Sequence, residues 1–255
     1  KKIMKKCLWC LNNENDVTFL KKAHTIPKSL GGQNLNQNIC DECNEYFGNK
    51  QEEKYSIEEA LKEAFNITRK RMLLSSKPKR QVGKFKSRFF DIKEKKGKYK
   101  LEFKTSFRFN SEFQKSLCRS FKRGLYKLYF EELNRQKNIG FESEFDLIRK
   151  FARYNENDLP VFYFQRKIGI IVVLDREAET PTLFFERMGY LYSDEYFEEI
   201  EFLGHVFGFP KKIYKLENLE NYYKNSTELK KDFFIGITKI EKFTNIDITF
   251  NIMDK

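Results

Sequence analysis

Four of the five cysteines fall into two Cys-x-x-Cys pairs, and this spacing constrains the fold more than any other feature. Cys7 and Cys10 form the first pair, and Cys40 and Cys43 form the second pair after 29 intervening residues. Zinc prefers four thiolates in a tetrahedron, and each pair can present two of them from one tight turn. We therefore predict a structural zinc that folds the first 50 residues, which are too few to build a hydrophobic core alone.

The composition is that of a folded and strongly basic protein. The 255 residues are 40% hydrophobic and 16% aromatic, and the formal net charge is +12. Residues 81–140 carry 17 Lys/Arg against 6 Asp/Glu, whereas residues 141–200 carry 7 against 13. A basic middle favours a polyanionic partner such as nucleic acid, although a lysine-rich proteome gives the same charge. The absence of a long apolar run or a secretory segment predicts a cytoplasmic protein with no membrane partner.

Short patterned segments predict the elements of the N-terminal part. Val17–Leu20 has the composition of a short strand, and a helix is predicted to begin near Cys43. A second helix is predicted from Ser56 to about Leu74, because Ser56 and Glu59 form a capping box before an apolar stripe with helical spacing. The polar segment that follows predicts a linker at residues 76–84.

Residues 85–255 are predicted to form an α+β domain with a mostly antiparallel sheet. Alternating apolar residues predict a strand from Tyr99 to Phe109, and a long helix follows from Phe113 to Leu128. A short helix is expected near residues 142–154. Further strands are expected at residues 161–164, 169–174, 182–185, 202–209, 233–240 and 246–252. His205 and Cys118 are expected to be core residues without a functional role.

Four basic residues are candidate contacts for a nucleic-acid backbone. Lys28 lies four residues after one of the two histidines, His24, and Arg119, Lys122 and Arg123 populate the polar side of the long helix. Their cations either contact phosphates or form an ordinary solvated face, and the sequence leaves both readings open.

The segment KAHTIPKSLGG, residues 22–32, places one of only two histidines between the cysteine pairs. A histidine can exchange a proton near neutral pH when a neighbour fixes its ring. Amide side chains that can orient such a ring, or bind a cation through oxygen, follow at Asn34, Asn36, Asn38 and Asn44. From these residues alone, His24 is a catalytic base, a metal ligand or an ordinary loop histidine.

The segments CLWC, AHTIPKSLGG and ICDECNEYFG, in this order, resemble the HNH endonuclease family with its ββα-metal fold. The resemblance is to members with flanking zinc pairs, and it covers about residues 5–75. It implies hydrolysis of a phosphodiester bond with a divalent cation, Mg²⁺ or Mn²⁺. His24 matches the general base, and Asn44 matches the final position of the motif, which binds the metal. The middle position, which orients the base, corresponds to Asn34, Asn36 or Asn38, of which Asn36 has the best spacing.

The chain departs from the family at the residue before the base. Family members often carry Asp, Glu or His there as a second metal ligand, whereas this chain has Ala23. A methyl group cannot bind a cation. The missing ligand would then come from Asp41, Glu42 or Glu45, or from water and the substrate phosphate.

These observations predict a two-part protein with an HNH nuclease module at residues 1–75 and a recognition or regulatory domain at residues 85–255. DNA is favoured over RNA as the substrate, because the resemblance is to a family that mostly cuts DNA. The expected setting is bacterial restriction or antiviral defence. The alternative function is a zinc-dependent nucleic-acid-binding protein without catalysis. Self-association and an activating ligand or protein partner are left open.

Overall fold

The computed structural model describes residues 4–50, 55–72, 87–95, 98–108, 110–166, 180–185, 197–210, 217 and 234–245. These residues form helices and antiparallel sheets, which confirms the predicted α+β class. No helix within the described ranges is both long enough and apolar enough to cross a lipid bilayer.

The α-helices of the described segments lie close to their predicted positions. They are α1 (Asp41–Gly48), α2 (Ile57–Met72), α3 (Ser111–Lys137) and α4 (Asp146–Ala152). Short 3-10 helices cover Lys28–Leu30, Ser143–Phe145 and Phe243–Asn245. The predicted cap of α2 is present, because the Glu59 N–H donates a hydrogen bond to Ser56 Oγ over 3.1 Å.

The strands of the described segments form two antiparallel sheets. The first is a hairpin of β1 (Phe90–Lys95) and β2 (Lys98–Phe103). The second sheet has five strands in the order β4-β5-β6-β3-β7, and all neighbours are antiparallel. Its strands are β3 (Phe162–Arg166), β4 (Leu183–Phe185), β5 (Phe197–Phe202), β6 (His205–Pro210) and β7 (Phe234–Lys239).

Most predicted strands within the described ranges are confirmed, but three predictions need correction. The strand predicted from Tyr99 to Phe109 ends at Phe103, and residues 104–108 are turn and irregular backbone. The predicted strand at 202–209 is interrupted by a turn at Leu203 and Gly204, where φ is 48° and 77°, and this turn joins β5 to β6. Val17–Leu20 is irregular backbone and not a strand. The predicted strands at 169–174 and 246–252 lie outside the described residues.

Helix α3 is the centre of the packing. It begins at Asn110, whose Oδ1 accepts a hydrogen bond from the Phe113 N–H over 2.8 Å. Residues 120–134 are all buried, including the polar ones, because other elements surround this part of the helix. Phe65 of α2 contacts Phe121 of α3 with ring centroids 5.7 Å apart, and both rings pack against Phe207 of β6.

The predicted boundary between the two parts does not coincide with a gap in the core. The linker expected at residues 76–84 lies outside the described residues, but the segments on its two sides share one apolar cluster. Trp9 packs against Phe47 and also against Phe130 of α3, with ring centroids 4.8 Å and 5.1 Å apart. The N-terminal part therefore packs directly on the long helix, and the division into two domains stays a prediction.

The two residues expected to be core residues are buried. Cys118 is fully buried on α3, and burial raises the pKa of its thiol to about 12. His205 is 7% exposed, and its Nδ1 lies 3.1 Å from the Tyr163 hydroxyl oxygen.

Gly124 allows α2 and α3 to approach closely, and this makes a stability prediction. A Cβ at Gly124 would lie 2.4 Å from Cγ of Leu61 and 2.7 Å from its Cδ1. We expect Gly124→Ala to destabilise the protein by about 1–3 kcal/mol, despite the better helix propensity of alanine. Thermal or urea unfolding measures the change. Gly48→Ala is the control, since its nearest neighbour would be 3.8 Å away, and an equal loss in both variants would contradict the prediction.

Candidate active site and metal centre

The four predicted cysteines form one cluster. The Sγ atoms of Cys7, Cys10, Cys40 and Cys43 all lie within 4.8 Å of one another, and those of Cys10 and Cys40 are 3.8 Å apart. A tetrahedral ion with metal–sulfur bonds of about 2.3 Å separates its ligands by about 3.8 Å. This part of the sequence prediction is confirmed as geometry, because the cluster can hold a metal ion such as zinc.

The protonation chemistry of the cluster also fits a bound cation. A hydrogen bond from Cys43 lowers the pKa of the Cys7 thiol to about 5, although burial opposes the shift. Burial raises the pKa of Cys10, and it raises that of Cys40 to about 12. The hydrogen bond to Cys7, followed by burial, raises the pKa of Cys43. Four thiolates buried together therefore need a positive ion.

An arginine from outside the cysteine segment contacts the cluster. Arg153, which follows α4, donates a hydrogen bond from Nε to Cys43 Sγ over 3.4 Å. Its guanidinium also lies 3.9 Å from the ring centroid of Tyr46 and pairs with Glu42 over 2.9 Å. A cation at this place offsets part of the negative charge that four thiolates carry.

His24 lies on a short antiparallel pairing that precedes α1. It forms an isolated β-bridge with Leu35. On either side, the Thr25 N–H donates to the Asn34 carbonyl over 3.1 Å, and the Asn36 N–H donates to the Ala23 carbonyl over 3.0 Å. Two extended segments followed by a helix have the ββα order that the resemblance implies. We call residues 23–36 the His24 hairpin.

The loop of the His24 hairpin explains the glycines of the SLGG sequence. Gly31 has φ 93°, and its N–H donates to the Lys28 carbonyl over 3.0 Å. Gly32 lies directly against the first extended segment, since a Cβ there would be 1.9 Å from the Ile26 carbonyl oxygen. Any larger residue at Gly32 would open the hairpin.

The ring of His24 is held by the backbone. Its Nδ1 lies 3.1 Å from the carbonyl oxygen of Lys22, and a carbonyl only accepts hydrogen bonds. Nδ1 therefore carries the proton in the neutral ring, and Nε2 carries the lone pair. Nε2 makes no hydrogen bond with any described residue, and the side chain is partly exposed. Nε2 can therefore accept a proton while Nδ1, on the other side of the ring, stays bonded to the Lys22 carbonyl.

The predicted role of Asn36 in orienting the His24 ring is wrong. Residues directly opposite each other in the hairpin share a face, so Asn36 lies with Ala23 on the face opposite to His24. Its Nδ2 donates to the carbonyl of Glu131 and to Oδ1 of Asn134, and its Oδ1 accepts from the Asn38 N–H. The amide is 4% exposed and fixes the hairpin to α3.

Asn44 lies in the first turns of α1, between Cys43 and the end of the helix, and it is partly exposed. Its side-chain amide makes no hydrogen bond with the residues that the structure describes. Its carbonyl oxygen is thus available to a cation, and its proposed metal role stays a prediction.

The acidic residues near Ala23 already have partners. Asp41 accepts hydrogen bonds from the Thr18 hydroxyl and from the N–H groups of Leu20 and Lys21, over 2.6, 3.1 and 2.7 Å. Slight burial opposes the shift, but these bonds lower the pKa of Asp41. Glu42 pairs with Arg153, and Glu45 forms an ion pair with Lys21. The described residues thus offer no uncommitted carboxylate beside His24 from this group.

The sequence analysis missed a buried polar group on α3 that supports the His24 hairpin. Lys127 Nζ donates to the carbonyl oxygens of His24 and Thr25 over 3.0 and 3.2 Å, and it pairs with Glu131 and Glu58 over 3.1 and 3.3 Å. Burial acts to lower the pKa of Lys127, but Glu131 and Glu58 raise it, so the ammonium is the stable form. No motif signals this contact, because its residues are about 100 positions apart.

Two glutamates complete this support. Glu131 accepts a hydrogen bond from Trp9 Nε1 over 2.8 Å, and burial raises its pKa to about 7 against the effect of Lys127. Glu132 accepts a hydrogen bond from the Thr25 hydroxyl and from Arg135 Nε over 3.0 Å. Both extended segments of the hairpin are therefore bonded to α3.

The structure places two of the four predicted nucleic-acid contacts in the interior. Lys122 is 5% exposed and pairs with Asp158 over 2.6 Å. Arg123 is 6% exposed and donates to the Ala152 carbonyl over 3.1 Å and to the Tyr46 hydroxyl over 2.6 Å. The prediction of an exposed phosphate-contacting face at these two positions is therefore wrong.

The other two predicted contacts differ from each other. Arg119 is partly exposed, but its guanidinium donates to Oδ1 of Asn155 over 2.8 Å and to the backbone carbonyls of Asn155 and Asn157. Lys28 is exposed and lies in the loop of the His24 hairpin, four residues after His24. Lys22, which the sequence analysis passed over, is also exposed and lies two residues before His24. Lys22 and Lys28 are the basic residues that flank the candidate base.

Residues 7–58 match the HNH endonuclease family. This match confirms the resemblance and covers the cysteine cluster, the His24 hairpin and α1. It spans about a fifth of the chain and ends before α3. No curated protein and no solved structure matches the chain. We call residues 7–58 the HNH segment.

The cysteine cluster predicts a metal-dependent stability. We expect Cys43→Ala to lose the bound metal, because only three of the four sulfur ligands remain. The melting temperature should fall as well, since the three remaining thiolates then lack the positive charge of the metal. Cys118→Ala is the control, since Cys118 is equally buried but lies outside the cluster. Metal content per chain by mass spectrometry, with thermal unfolding, checks both variants. Equal metal in the two variants would refute the site.

The buried ammonium predicts that α3 holds the His24 hairpin. Lys127→Met leaves Glu131 and Glu58 without their cation, and we expect a loss of about 3 kcal/mol in stability. Amide hydrogen exchange in the His24 hairpin should become faster as well. Lys115→Met, at an exposed position of the same helix, is the control. A hairpin equally protected from exchange in both variants would contradict this role.

Proposed function

We propose that this protein is a metal-dependent HNH endonuclease that hydrolyses phosphodiester bonds with His24 as the general base. The observation that carries the proposal is the His24 ring, with Nδ1 fixed on the Lys22 carbonyl and Nε2 unoccupied among the described residues, inside a segment that matches the HNH family. A ring held in this tautomer takes a proton from water through Nε2.

His24 acts as the base in the proposed reaction, and two neighbouring groups support it. Nε2 removes a proton from the attacking water, whose oxygen forms a bond to phosphorus while the bond to the leaving oxygen breaks. The positive charge that develops on the ring is stabilised by the Lys22 carbonyl, which keeps its hydrogen bond to Nδ1. The Lys127 ammonium holds the carbonyl of His24 itself, so the base stays in place during the proton transfer.

The described residues fit a catalytic cation in part. Asn44 offers one neutral oxygen, while Asp41, Glu42 and Glu45 are committed to other partners. When bound, Mg²⁺ or Mn²⁺ would stabilise the charge on the leaving oxygen. We assign Asn44 as its protein ligand and leave the remaining positions to water and the substrate phosphate.

We further propose that the cysteine cluster holds a structural zinc ion. The four sulfurs match tetrahedral spacing, and a site closed by four protein ligands leaves no position for water or substrate. This zinc would fix the two cysteine turns between which the His24 hairpin lies.

The proposed substrate is nucleic acid, with DNA favoured over RNA on the resemblance to the HNH family. Lys22 and Lys28 are exposed on either side of His24 and would contact phosphates near the cut. Lys122 and Arg123 of α3 do not serve this purpose, because they are buried and bonded inside the protein. We place the activity in bacterial restriction or antiviral defence, with the part after the HNH segment binding substrate or sensing a trigger.

A second candidate function rests on the departure at Ala23. A side chain that cannot bind metal, next to carboxylates that are already bonded, favours a zinc-dependent nucleic-acid-binding protein without catalysis. The two functions make opposite predictions for His24, because a binder needs no base.

The deciding experiment compares wild type, His24→Ala and Gln33→Ala on duplex DNA, single-stranded DNA and RNA with Mg²⁺ or Mn²⁺. Gln33 is exposed in the same hairpin and serves as the control. We expect cleavage to fall by about 10²–10⁴-fold in His24→Ala only, with equal zinc in all three proteins. Tight binding by wild type without cleavage, and unchanged in His24→Ala, would instead support the binding protein.

A further inference from the structure

A cavity of about 730 Å³ lies between α3, α4 and one end of the five-stranded sheet. Neither the cysteine cluster nor the His24 hairpin contributes to its lining. Cavities of about 300–1,000 Å³ are the usual size for small-molecule sites. The volume is therefore that of a ligand site, in a part of the chain that the HNH segment does not reach.

Aromatic rings form the inner wall of this cavity. Tyr129 stacks on Phe209 with ring centroids 4.8 Å apart and planes 15° apart, and Tyr126 meets the same Phe209 at 78°. Both phenols are satisfied, since Tyr126 donates to the Pro160 carbonyl over 2.8 Å and Tyr129 donates to Glu198 over 2.5 Å. The rings are thus fixed in place, and an apolar ligand against this wall would break no hydrogen bond of the phenols.

The mouth of the cavity exposes apolar surface. Leu147 of α4 is 48% exposed, and Ile139 after α3 is 37% exposed, and both line the cavity. Large apolar side chains with this much exposure are few among the described residues. Apolar side chains around an opening are typical of a site that admits an apolar molecule.

The charged groups of the cavity favour a hydrogen-bond donor over an anion. Glu198 is 3.6 Å from Lys137, and Lys239 is 3.0 Å from Glu241, so both lysines already have a counter-ion. Glu144 forms no ion pair with any described residue. Asp158 also lines the cavity and pairs with Lys122. Among the described lining residues, the charge without a counter-ion is therefore negative, and an amino group on a ligand would complement it.

The same part of α3, residues 126–133, contributes to the cavity and to the support of the His24 hairpin. Tyr126, Tyr129 and Leu133 line the cavity. Lys127 and Glu132 project from a different side of this part of the helix and bond to the hairpin. A displacement of this part of α3 by a ligand would move the groups that hold His24.

We propose that this cavity binds a small, mostly apolar aromatic molecule that carries an amino group, and that its occupancy is transmitted through α3 to the His24 hairpin. The binding itself is independent of the nuclease activity. The regulatory meaning of the transmission rests on the proposed function.

The binding is tested with the fluorescent amine N-phenyl-1-naphthylamine on the full chain. We expect saturable binding of one molecule, weakened about tenfold or more by Leu147→Trp, which fills the mouth from α4. Leu20→Trp is the matched control, since Leu20 is 86% exposed and lies in the HNH segment. Ile139→Trp fills the same mouth from the end of α3 and serves if Leu147→Trp fails to fold. Binding that is absent, or unchanged in a folded blocking variant, would overturn the site.

The ligand class is tested with 8-anilinonaphthalene-1-sulfonate, which adds one anion to the same ring system. We expect weaker binding of this probe than of the neutral amine. Tighter binding of the sulfonate than of the neutral amine would overturn the assignment of an amino ligand and would indicate an anionic ligand.

The transmission is tested by amide hydrogen exchange in residues 23–36, with and without the neutral amine. We expect exchange in the His24 hairpin to change on binding in wild type and in Leu20→Trp, and to stay constant in Leu147→Trp. Binding without any change in the hairpin would overturn the transmission and leave the cavity as a separate site. Neither readout requires cleavage, so a failure here is distinct from a failure of the proposed nuclease.

Discussion

The ammonium of Lys127 is the contact on which the arrangement of the candidate site depends. It is 1% exposed and has four acceptors, two of them backbone carbonyls of the His24 hairpin and two of them glutamates. Burial of a cation costs free energy unless each of its N–H donors has an acceptor. Lys127 has its two backbone acceptors because the His24 hairpin lies on α3 in the observed register. The network therefore selects one register between two parts of the chain that lie about 100 residues apart.

The supports of the candidate site come from within the HNH segment and from beyond it. The cysteine cluster fixes the ends of the segment, whereas Lys127, Glu131 and Glu132 hold its middle from α3. A third support comes from α4, where Arg149 donates to the Leu8 carbonyl over 2.9 Å. The cooperative unit is thus larger than the 7–58 match. The long helix supports the HNH segment as much as it belongs to the part that follows.

The sequence was informative wherever the chemistry is local. The spacing within each cysteine pair and the cap at Ser56 depend on neighbours within a few residues, and both are present in the structure. The Val17–Leu20 prediction was wrong because the carboxylate of Asp41 binds this segment as irregular backbone. Strand β5 was missed because its sequence, FEEIEF, carries three glutamates and so does not look like a buried strand.

The cations of α3 show why long-range burial cannot be read from a helical pattern. A helix with one apolar face and many charges predicts solvent on the other side. Here other elements cover that side as well, and Lys122 and Arg123 satisfy their donors within the protein. Asn36 follows the same rule, since its spacing suited a partner of His24 but its face of the hairpin belongs to α3. The face of the hairpin on which Asn36 lies depends on how the two extended segments pair, and the amino-acid sequence alone does not give that register.

Ala23 and the contact with α3 have a common physical cause. Ala23 is 2% exposed on the inner face of the hairpin, opposite Asn36, and Asn36 bonds to the backbone of Glu131. A carboxylate at Ala23 would be buried on the side where Glu131 and Glu132 already lie, and like charges at such a place are strongly unfavourable. A hairpin docked on this helix cannot carry the family's usual acidic ligand there. The contact with α3 that supports His24 thus excludes an acidic metal ligand at position 23. The proposed cation then takes its remaining contacts from water and the substrate phosphate.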